Sequence, residues 1–357
     1  MLDVIHRAIA DVLQERGLDQ RVCYTRVTVV PPDGTAVDVE CSDPRVAAEV
    51  QQRVRSVPGA EGVRLVVLPA PGLPDTALVA SAVADVRRDP SHRSELVSQA
   101  IHGDAVTPLK AEGDWTLVRL DDDYIGWIRD WHLRPWSRQA RDAFLTRAGH
   151  RVRPNHAVVV TAPAANAMPV AELVVGTPLV CGEVPGRGWV AATLADGREG
   201  FVRRADVEKR SRRRPTPAAL EATGLRFLGI PYLWGGSTPN GFDCSGLIQR
   251  VFRLNGLLLP RDSDMQARLG EERQISGPGD LVPGDLVFFG RSREAITHVG
   301  LVLSGGGFLH SYGQVVVNSL DKSDARYSDR LASIWQFTRR PGAPKSPSRR
   351  RKPAPGT

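Results

Sequence analysis

The sequence predicts an α+β protein assembled from several small domains. Three observations carry this expectation. A chain of 357 residues is long enough for two to four domains of ordinary size. Short strand-like runs recur in two related blocks, each closing on an aromatic residue beside glycine. Finally, a cysteine stands at the head of an apolar helical pattern that is followed by five strand-like runs.

Residues 1–72 open with a helix that carries Leu2, Ile5, Ile9, Val12 and Leu13 on one face. Strands are expected over Val22 to Val30 and Ala36 to Cys41, a helix after the Ser42-Asp43 cap, and a strand over Val63 to Leu68, before "PAPGLP" closes a small α+β unit. It holds no chemical constellation, so its role is open. The polar, amphipathic start "MLDVIHRAIADVLQERG" is unlike a signal peptide. With 41% apolar residues the chain still has no run of membrane-helix length, and a cytoplasmic location is expected, a non-classical export route being left open.

Next comes the repeat. "GDWTLVRLDDDYIGWIRDWHL" aligns with "GRGWVAATLADGREGFVRRADV", Trp115 with Trp189, Gly126 with Gly200, Trp127 with Phe201 and Ile128 with Val202, at an offset of 74. Each half follows a strand and a glycine turn, "IHGDAV" or "VVGTPLV". Two small β-barrels follow from this spacing, over 76–136 and 154–208, and they resemble bacterial SH3-like barrels. Aromatic residues at such positions are expected to serve as core. The copies differ where the first has Asp104 and Tyr124 and the second has Thr177 and Arg198.

A basic linker, 209–217, leads to a domain over 218–340: a helix from Ala218 to Leu228, a Gly/Pro/Asn-rich loop "GIPYLWGGSTPNGFD", a helix from Ser245 to Leu254, then the strands "DLVFFG", "HVGLVL", "FLHSYG", "VVVNSL" and "SIWQFT". The last segment, 341–357, reads as a disordered basic tail. The net charge is +7, with seven of the bases from Arg339 onward and five in "KRSRRR". Twelve of the 47 bases lie in these patches, so the remainder has 35 against 40 acids, net −5. A nucleic-acid groove in the folded body is therefore not expected, and the tail is the segment left for an anionic envelope. A monomer is expected.

Four cysteines, Cys23, Cys41, Cys181 and Cys244, form no CxxC pair, so neither a disulfide framework nor a structural zinc site is indicated. The first three read as small buried hydrophobes. Cys244, in "GFDCSGL", stands instead at a helix N-terminus, where unpaired N–H groups and the dipole lower a thiol's pKa to roughly 3.5–7.5 in active cases. Asp243 can cap that helix, Ser245 and Gly246 leave room for a substrate, and Leu247, Ile248, Val251 and Phe252 supply the buried face. An acyl-transfer cysteine also needs a base. His298 and His310 are symmetric about Ser304, so a hairpin turning near Ser304 sets them directly across and one turning near Gly305 sets them diagonally. Both arrangements keep them on one face. His298 then reads as general base and His310 as the group that orients it. A Cys/His/His metal site is the alternative, but with no fourth ligand in place neither a metal nor a cofactor is expected.

At the words "PYLWGG", "FDCSGL", "LPRDSDMQ", "PGDLVFF", "HVGLVL" and "FLHS", in order, the chain resembles the NlpC-type cell-wall peptidases, papain-like cysteine peptidases that cleave peptidoglycan stem peptides. The resemblance implies a papain-like catalytic domain with Cys244 as nucleophile, His298 as base and His310 as third residue. With the upstream barrels it narrows to enzymes similar to γ-D-glutamyl-diamino-acid endopeptidases, which act on released muropeptides bearing a free N-terminal L-alanine. That likeness implies that Asp104, where the family's usual acid is glutamate, and Tyr124 hold the free amine. It also implies that Tyr232, Asp243, Ser245 and Ser263 line the dipeptide pocket. The expected partner is then a peptidoglycan-derived peptide. Two rival readings are a catalytically silent muropeptide- or wall-binding adaptor and a transamidase using the same acyl-thioester chemistry.

Overall fold

The computed structural model describes residues 2–30, 36–60, 62–184, 188–210 and 215–342. The basic stretch 211–214 and the tail from 343, expected to be linker and disordered tail, lie outside the described residues. The chain divides into two compact units, Met1–Arg210 and Ser211–Thr357. Among the described residues no helix is long and apolar enough to cross a membrane.

The first unit begins with α1 (Leu2–Glu15), β1 (Thr25–Val30), β2 (Ala36–Cys41), α2 (Pro44–Arg55) and β3 (Gly62–Val67), with a sheet order β1-β2-β3. The hairpin β1/β2 is antiparallel and β3 joins β2 in parallel, the crossover being α2. Asp43 caps α2 by accepting the Arg45 N–H, and Pro44 occupies the first turn, where its missing N–H costs nothing. Ile5, Ile9, Val12 and Leu13 of α1 are buried with Val37, Val39 and Cys41 of β2, while Leu2, expected on the same face, is 40% exposed at the helix start. Cys23 and Cys41 are fully buried in this core; Cys181, expected to be buried, is only half-buried.

Strands β4 (Ala77–Val79), β5 (Val83–Arg87), β6 (Leu96–Ile101), β7 (Ala105–Glu112), β8 (Trp115–Arg119), β9 (Ile125–Arg129) and β10 (Leu133–Pro135) run in the order β10-β4-β7-β8-β9-β5-β6. After α3 (Arg138–Arg147), a capped linking helix absent from the sequence reading, come β11 (His150–Val152), β12 (His156–Val160), β13 (Pro169–Val174), β14 (Pro178–Gly182), β15 (Trp189–Thr193), β16 (Glu199–Arg203) and β17 (Val207–Lys209). Their order, β13-β12-β16-β15-β14-β11-β17, is the first order strand for strand. The second set starts before residue 154, because β11 pairs with both β14 and β17; three residues are too few to show an alternation.

The repeated glycine has one cause in both copies. A Cβ on Gly126 would lie 2.5 Å from Val86 Cγ1, and one on Gly200 would lie 2.6 Å from the Val160 carbonyl oxygen. Each marks the place where the strand crosses close to β5 or β12. The repeated aromatics fare differently. Trp115 and Trp127 are buried with Leu68, Leu109 and Leu117 against Tyr24 and Val66 of the N-terminal segment, whereas Trp189 and Phe201, outside that cluster, stay half-buried.

The second unit contains α4 (Pro217–Leu225), a short hairpin of β18 (Ser237–Thr238) and β19 (Gly241–Phe242), α5 (Cys244–Leu254), α6 (Ser263–Gln266), β20 (Glu271–Glu272), β21 (Leu286–Gly290), β22 (Ile296–Val302), β23 (Gly307–Tyr312), β24 (Gln314–Ser319), α7 (Asp329–Ser333) and β25 (Trp335–Arg340). The antiparallel sheet has the order β20-β25-β21-β22-β23-β24, so the last strand returns beside β21. Helix α5 buries Leu247, Ile248, Val251 and Phe252 against β22 and β23. An apolar helix face packed on an apolar sheet face fixes the helix start over the centre of the sheet.

Candidate active site

Asp243 builds the head of α5. One carboxylate oxygen accepts the Gly246 N–H at 2.6 Å, the Ser245 hydroxyl at 3.2 Å and Arg261 Nη1 at 3.0 Å; the other accepts the Gly235 N–H at 3.0 Å and Arg261 Nη2. Arg261 is only 1% exposed. Its buried charge is thus matched by a buried carboxylate, the condition under which such a pair is tolerated. The same carboxylate ties the helix to the loop that precedes it. Gly246 serves this approach rather than leaving room for a substrate: a Cβ there would stand 2.1 Å from the Gly236 carbonyl oxygen.

The two histidines meet from neighbouring strands. Leu301 pairs with Leu309 and Val302 with Phe308, a register centred on Gly305 that makes His298 and His310 diagonal neighbours on one face. His298 Nε2 lies 2.8 Å from His310 Nδ1, and His310 Nε2 lies 2.8 Å from Asn318 Oδ1. Asn318 Nδ2 donates to the Arg326 carbonyl at 3.0 Å, which fixes the amide so that its oxygen faces the ring. The protons then follow by elimination. His310 must donate from Nε2, its Nδ1 must accept, and His298 must donate from Nε2, so His298 Nδ1 is left as an acceptor. The Ser311 hydroxyl donates to the Phe242 carbonyl at 2.7 Å and anchors β23 to the segment that leads into Cys244.

Cys244 is buried, with Sγ 3.9 Å from the Thr297 carbonyl oxygen, next to His298 in sequence. Its thiol is pushed up to about 12 by burial and by the Asp243 carboxylate, against the backbone N–H groups of Ser245 and Val299, which favour the thiolate. The low thiol value expected from the helix N-terminus is therefore corrected: the cap that completes the helix is itself an anion beside the sulfur. Burial, then His310 and Arg330, lower His298 to about 3, and burial also lowers His310. At neutral pH the thiol is then protonated and both imidazoles are neutral. Proton transfer from sulfur to His298 must then accompany attack on a bound acyl group rather than precede it.

Tyr232 is half-buried, and its hydroxyl pKa is raised by burial and by the nearby Cys244 and Asp243. Ser263 is buried at the first position of α6, and Gln266 of that helix donates to the Ser245 carbonyl at 3.1 Å. The structure thus gathers Cys244, His298, His310, Tyr232, Asp243 and Ser245, with Ser263 attached through Gln266. Asp104 and Tyr124 belong to the other unit. Asp104 Oδ2 accepts the Ile101 N–H at 2.9 Å and closes its own turn. Tyr124 is 4% exposed in the core of the first barrel, beside a cavity of about 440 Å³ that Tyr24, Arg88 and Trp127 also line. Sequence reasoning missed Arg261 and Asn318. Their signals were an arginine beside an apolar run in "LPRDS" and the one amide in "VVVNSL". Among the described residues no group of three His, Cys, Asp or Glu side chains is placed to hold a metal ion.

Comparison with known proteins agrees with this geometry. The NlpC/P60 family matches residues 229–335, and the bacterial dipeptidyl-peptidase Sh3 domain matches residues 86–133. The chain is 33% identical over 231 residues to the gamma-D-glutamyl-L-lysine dipeptidyl-peptidase of Bacillus subtilis, covering 60% of this chain and 71% of that protein. It is 28% identical over 271 residues to dipeptidyl-peptidase 6 of Lysinibacillus sphaericus, covering 72% and 96%. A crystal structure of an NlpC/P60 family protein from Bacillus cereus shares the fold with a TM-score of 0.63 at 21% identity, over 74% of this chain and 99% of the other. With a thiol at the start of a helix that packs on the strands carrying the imidazole pair, and with these relatives, the chain belongs to the NlpC/P60 family and is a cysteine-type peptidase.

Proposed function

We propose that the protein hydrolyses peptidoglycan stem peptides at the bond between γ-D-glutamate and the diamino acid, releasing L-Ala-γ-D-Glu from peptides with a free N-terminal L-alanine. The observation that carries this reading is the hydrogen-bonded series His298–His310–Asn318, which leaves His298 Nδ1 as an acceptor beside the strand segment that Cys244 faces. The names of the dipeptidyl-peptidase relatives support the bond assigned.

In this reading Cys244 Sγ attacks the γ-carbonyl carbon as His298 Nδ1 takes the thiol proton. The oxyanion is held by backbone N–H groups at the head of α5, that of Cys244 and a neighbouring donor, where the helix leaves them unpaired. His298 then gives the proton to the leaving amine and the C–N bond breaks. Water, deprotonated by the same nitrogen, hydrolyses the thioester and frees the dipeptide. His310 keeps the His298 ring and tautomer. Tyr232, Asp243, Ser245 and Ser263 line the dipeptide pocket. The enzyme works as a monomer in the cytoplasm on peptides already released from the wall.

The test is a digest of L-Ala-γ-D-Glu-L-Lys and of the diaminopimelate analogue by the full-length chain, read by mass spectrometry. Both wild-type products, the dipeptide and the diamino acid, should appear, and Cys244→Ala should give neither. N-acetylation of the peptide should lower kcat/KM about ten- to a hundredfold, the worth of a charged hydrogen bond of about 1.5–3 kcal/mol. Equal rates on free and acetylated peptides would remove the amine requirement, and turnover by Cys244→Ala would remove the mechanism.

A further inference from the structure

On the solvent side of the histidine pair stands an arginine without a carboxylate. Arg330 lies in α7, is exposed, and has its guanidinium 4.9 Å from the centre of the Tyr312 ring. Among the described residues it makes no ion pair. The acids nearest in sequence are engaged elsewhere: Asp329 Oδ1 accepts the Tyr327 hydroxyl at 3.3 Å, and Asp324 is held by Arg326. Tyr312 itself is 51% exposed. Continuing the β22/β23 register places Tyr312 directly opposite His298, and the rings are 6.3 Å apart; the Tyr312 ring also stacks on His310 at 6.4 Å. A cation fixed over an aromatic face keeps its forked N–H groups available to an anion while its stem loses little further freedom.

We propose that Arg330, presented on Tyr312, is a leaving-side subsite that binds the carboxylate of the amino acid released by cleavage. The inference rests on the hydrolytic reading given above, because that reading fixes the side. His298 protonates the leaving amine and so must come within about 3 Å of it. One residue spans about 3.5 Å, so a carboxylate ending that residue falls within the 6.3 Å that separates the His298 and Tyr312 rings, and a guanidinium on the Tyr312 ring comes within its reach. The substrate class is a short peptide that ends at the residue just beyond the scissile bond, with its α-carboxylate free. Binding has a second effect. Arg330 is one of the charges that hold the His298 pKa down, and a bound carboxylate neutralises it, so His298 becomes a better base when the right substrate is present. The subsite therefore acts on kcat as well as on KM.

The experiment compares L-Ala-γ-D-Glu-L-Lys with its C-terminal carboxamide on wild type, Arg330→Gln and Arg330→Lys. Wild type should favour the acid by about fivefold in kcat/KM, an ion pair of about 1 kcal/mol, and the preference should shrink between low and high salt. Arg330→Gln should bring the ratio close to one, by weaker binding of the acid together with a kcat on the carboxamide no lower than wild type, and Arg330→Lys should keep part of the preference. A wild-type ratio of one, a ratio that survives in Arg330→Gln, or an equal fall on both peptides overturns the subsite alone. A wild type that cuts neither peptide overturns the reaction assigned above, and the subsite with it.

Discussion

Replacing Asn318 by leucine tests whether the imidazole pair is held in one protonation pattern by its outermost member. Asn318 contacts neither Cys244 nor the leaving group, yet its Oδ1 is what makes His310 carry its proton on Nε2. A neutral hydrogen bond of about 1 kcal/mol biases that tautomer by roughly fivefold. Leucine removes the bias, so His310 Nδ1 carries the proton in about half of the molecules, and in those the His298 tautomer is reversed and its Nδ1 no longer accepts. That shift alone costs less than about twofold; loosened ring orientation supplies the larger part, and kcat should fall about tenfold with KM little changed. The buried His310 Nε2–H loses its acceptor, at a cost of about 1–3 kcal/mol in stability. Asn318→Asp separates orientation from mere packing. The carboxylate still accepts from His310 but stabilises its charged form, so the His310 pKa rises from its depressed native value. Charged His310 donates from both nitrogens and cannot accept from His298. The variant should therefore work at alkaline pH and lose activity as pH falls through the raised His310 value, where wild type still works. The assay is kcat against pH on the tripeptide for all three proteins. Wild-type kcat in Asn318→Leu, or an unmoved acid limb in Asn318→Asp, would refute the tautomer argument.

Two further outcomes follow from the charges around Cys244. Because burial and Asp243 raise the thiol to about 12, alkylation of Cys244 by iodoacetamide, followed by peptide mass spectrometry, should accelerate about tenfold per pH unit from pH 7 to 10; a rate that is flat from pH 5 to 8 would mean a resting thiolate–imidazolium pair. Arg261→Met should cost about 3 kcal/mol in urea unfolding by leaving the Asp243 carboxylate short of its buried partner, with partial recovery in Arg261→Met/Asp243→Asn; a loss below about 1 kcal/mol would show that the Gly235, Ser245 and Gly246 donors suffice.

What the sequence disclosed, and what it withheld, divides along physical lines. Periodicity and spacing are local, so the head of α5, the strands β21 to β25 and the shared face of His298 and His310 could all be read from a string of letters, while the choice between direct and diagonal pairing needed the register. The repeated glycine was legible for the same reason, since Gly126 and Gly200 each sit where a strand crosses and one Cβ would collide. Charge at a site is not local. A helix N-terminus alone argues for a low thiol pKa, but the capping carboxylate, the buried Arg261 that pairs with it and the crowding around Cys244 come from segments that only the fold brings together, and their sum has the opposite sign. Asn318 was withheld likewise. It is one amide among valines, and what gives it a role is the ring of His310 on the next strand and the Arg326 carbonyl behind it. Arg330 is the extreme case: its meaning lies in the acids that do not pair with it, and an unpaired charge is visible only once every neighbour has been placed. A residue that chemistry requires tends to announce itself by type, whereas one that tunes that chemistry is recognisable only by its surroundings.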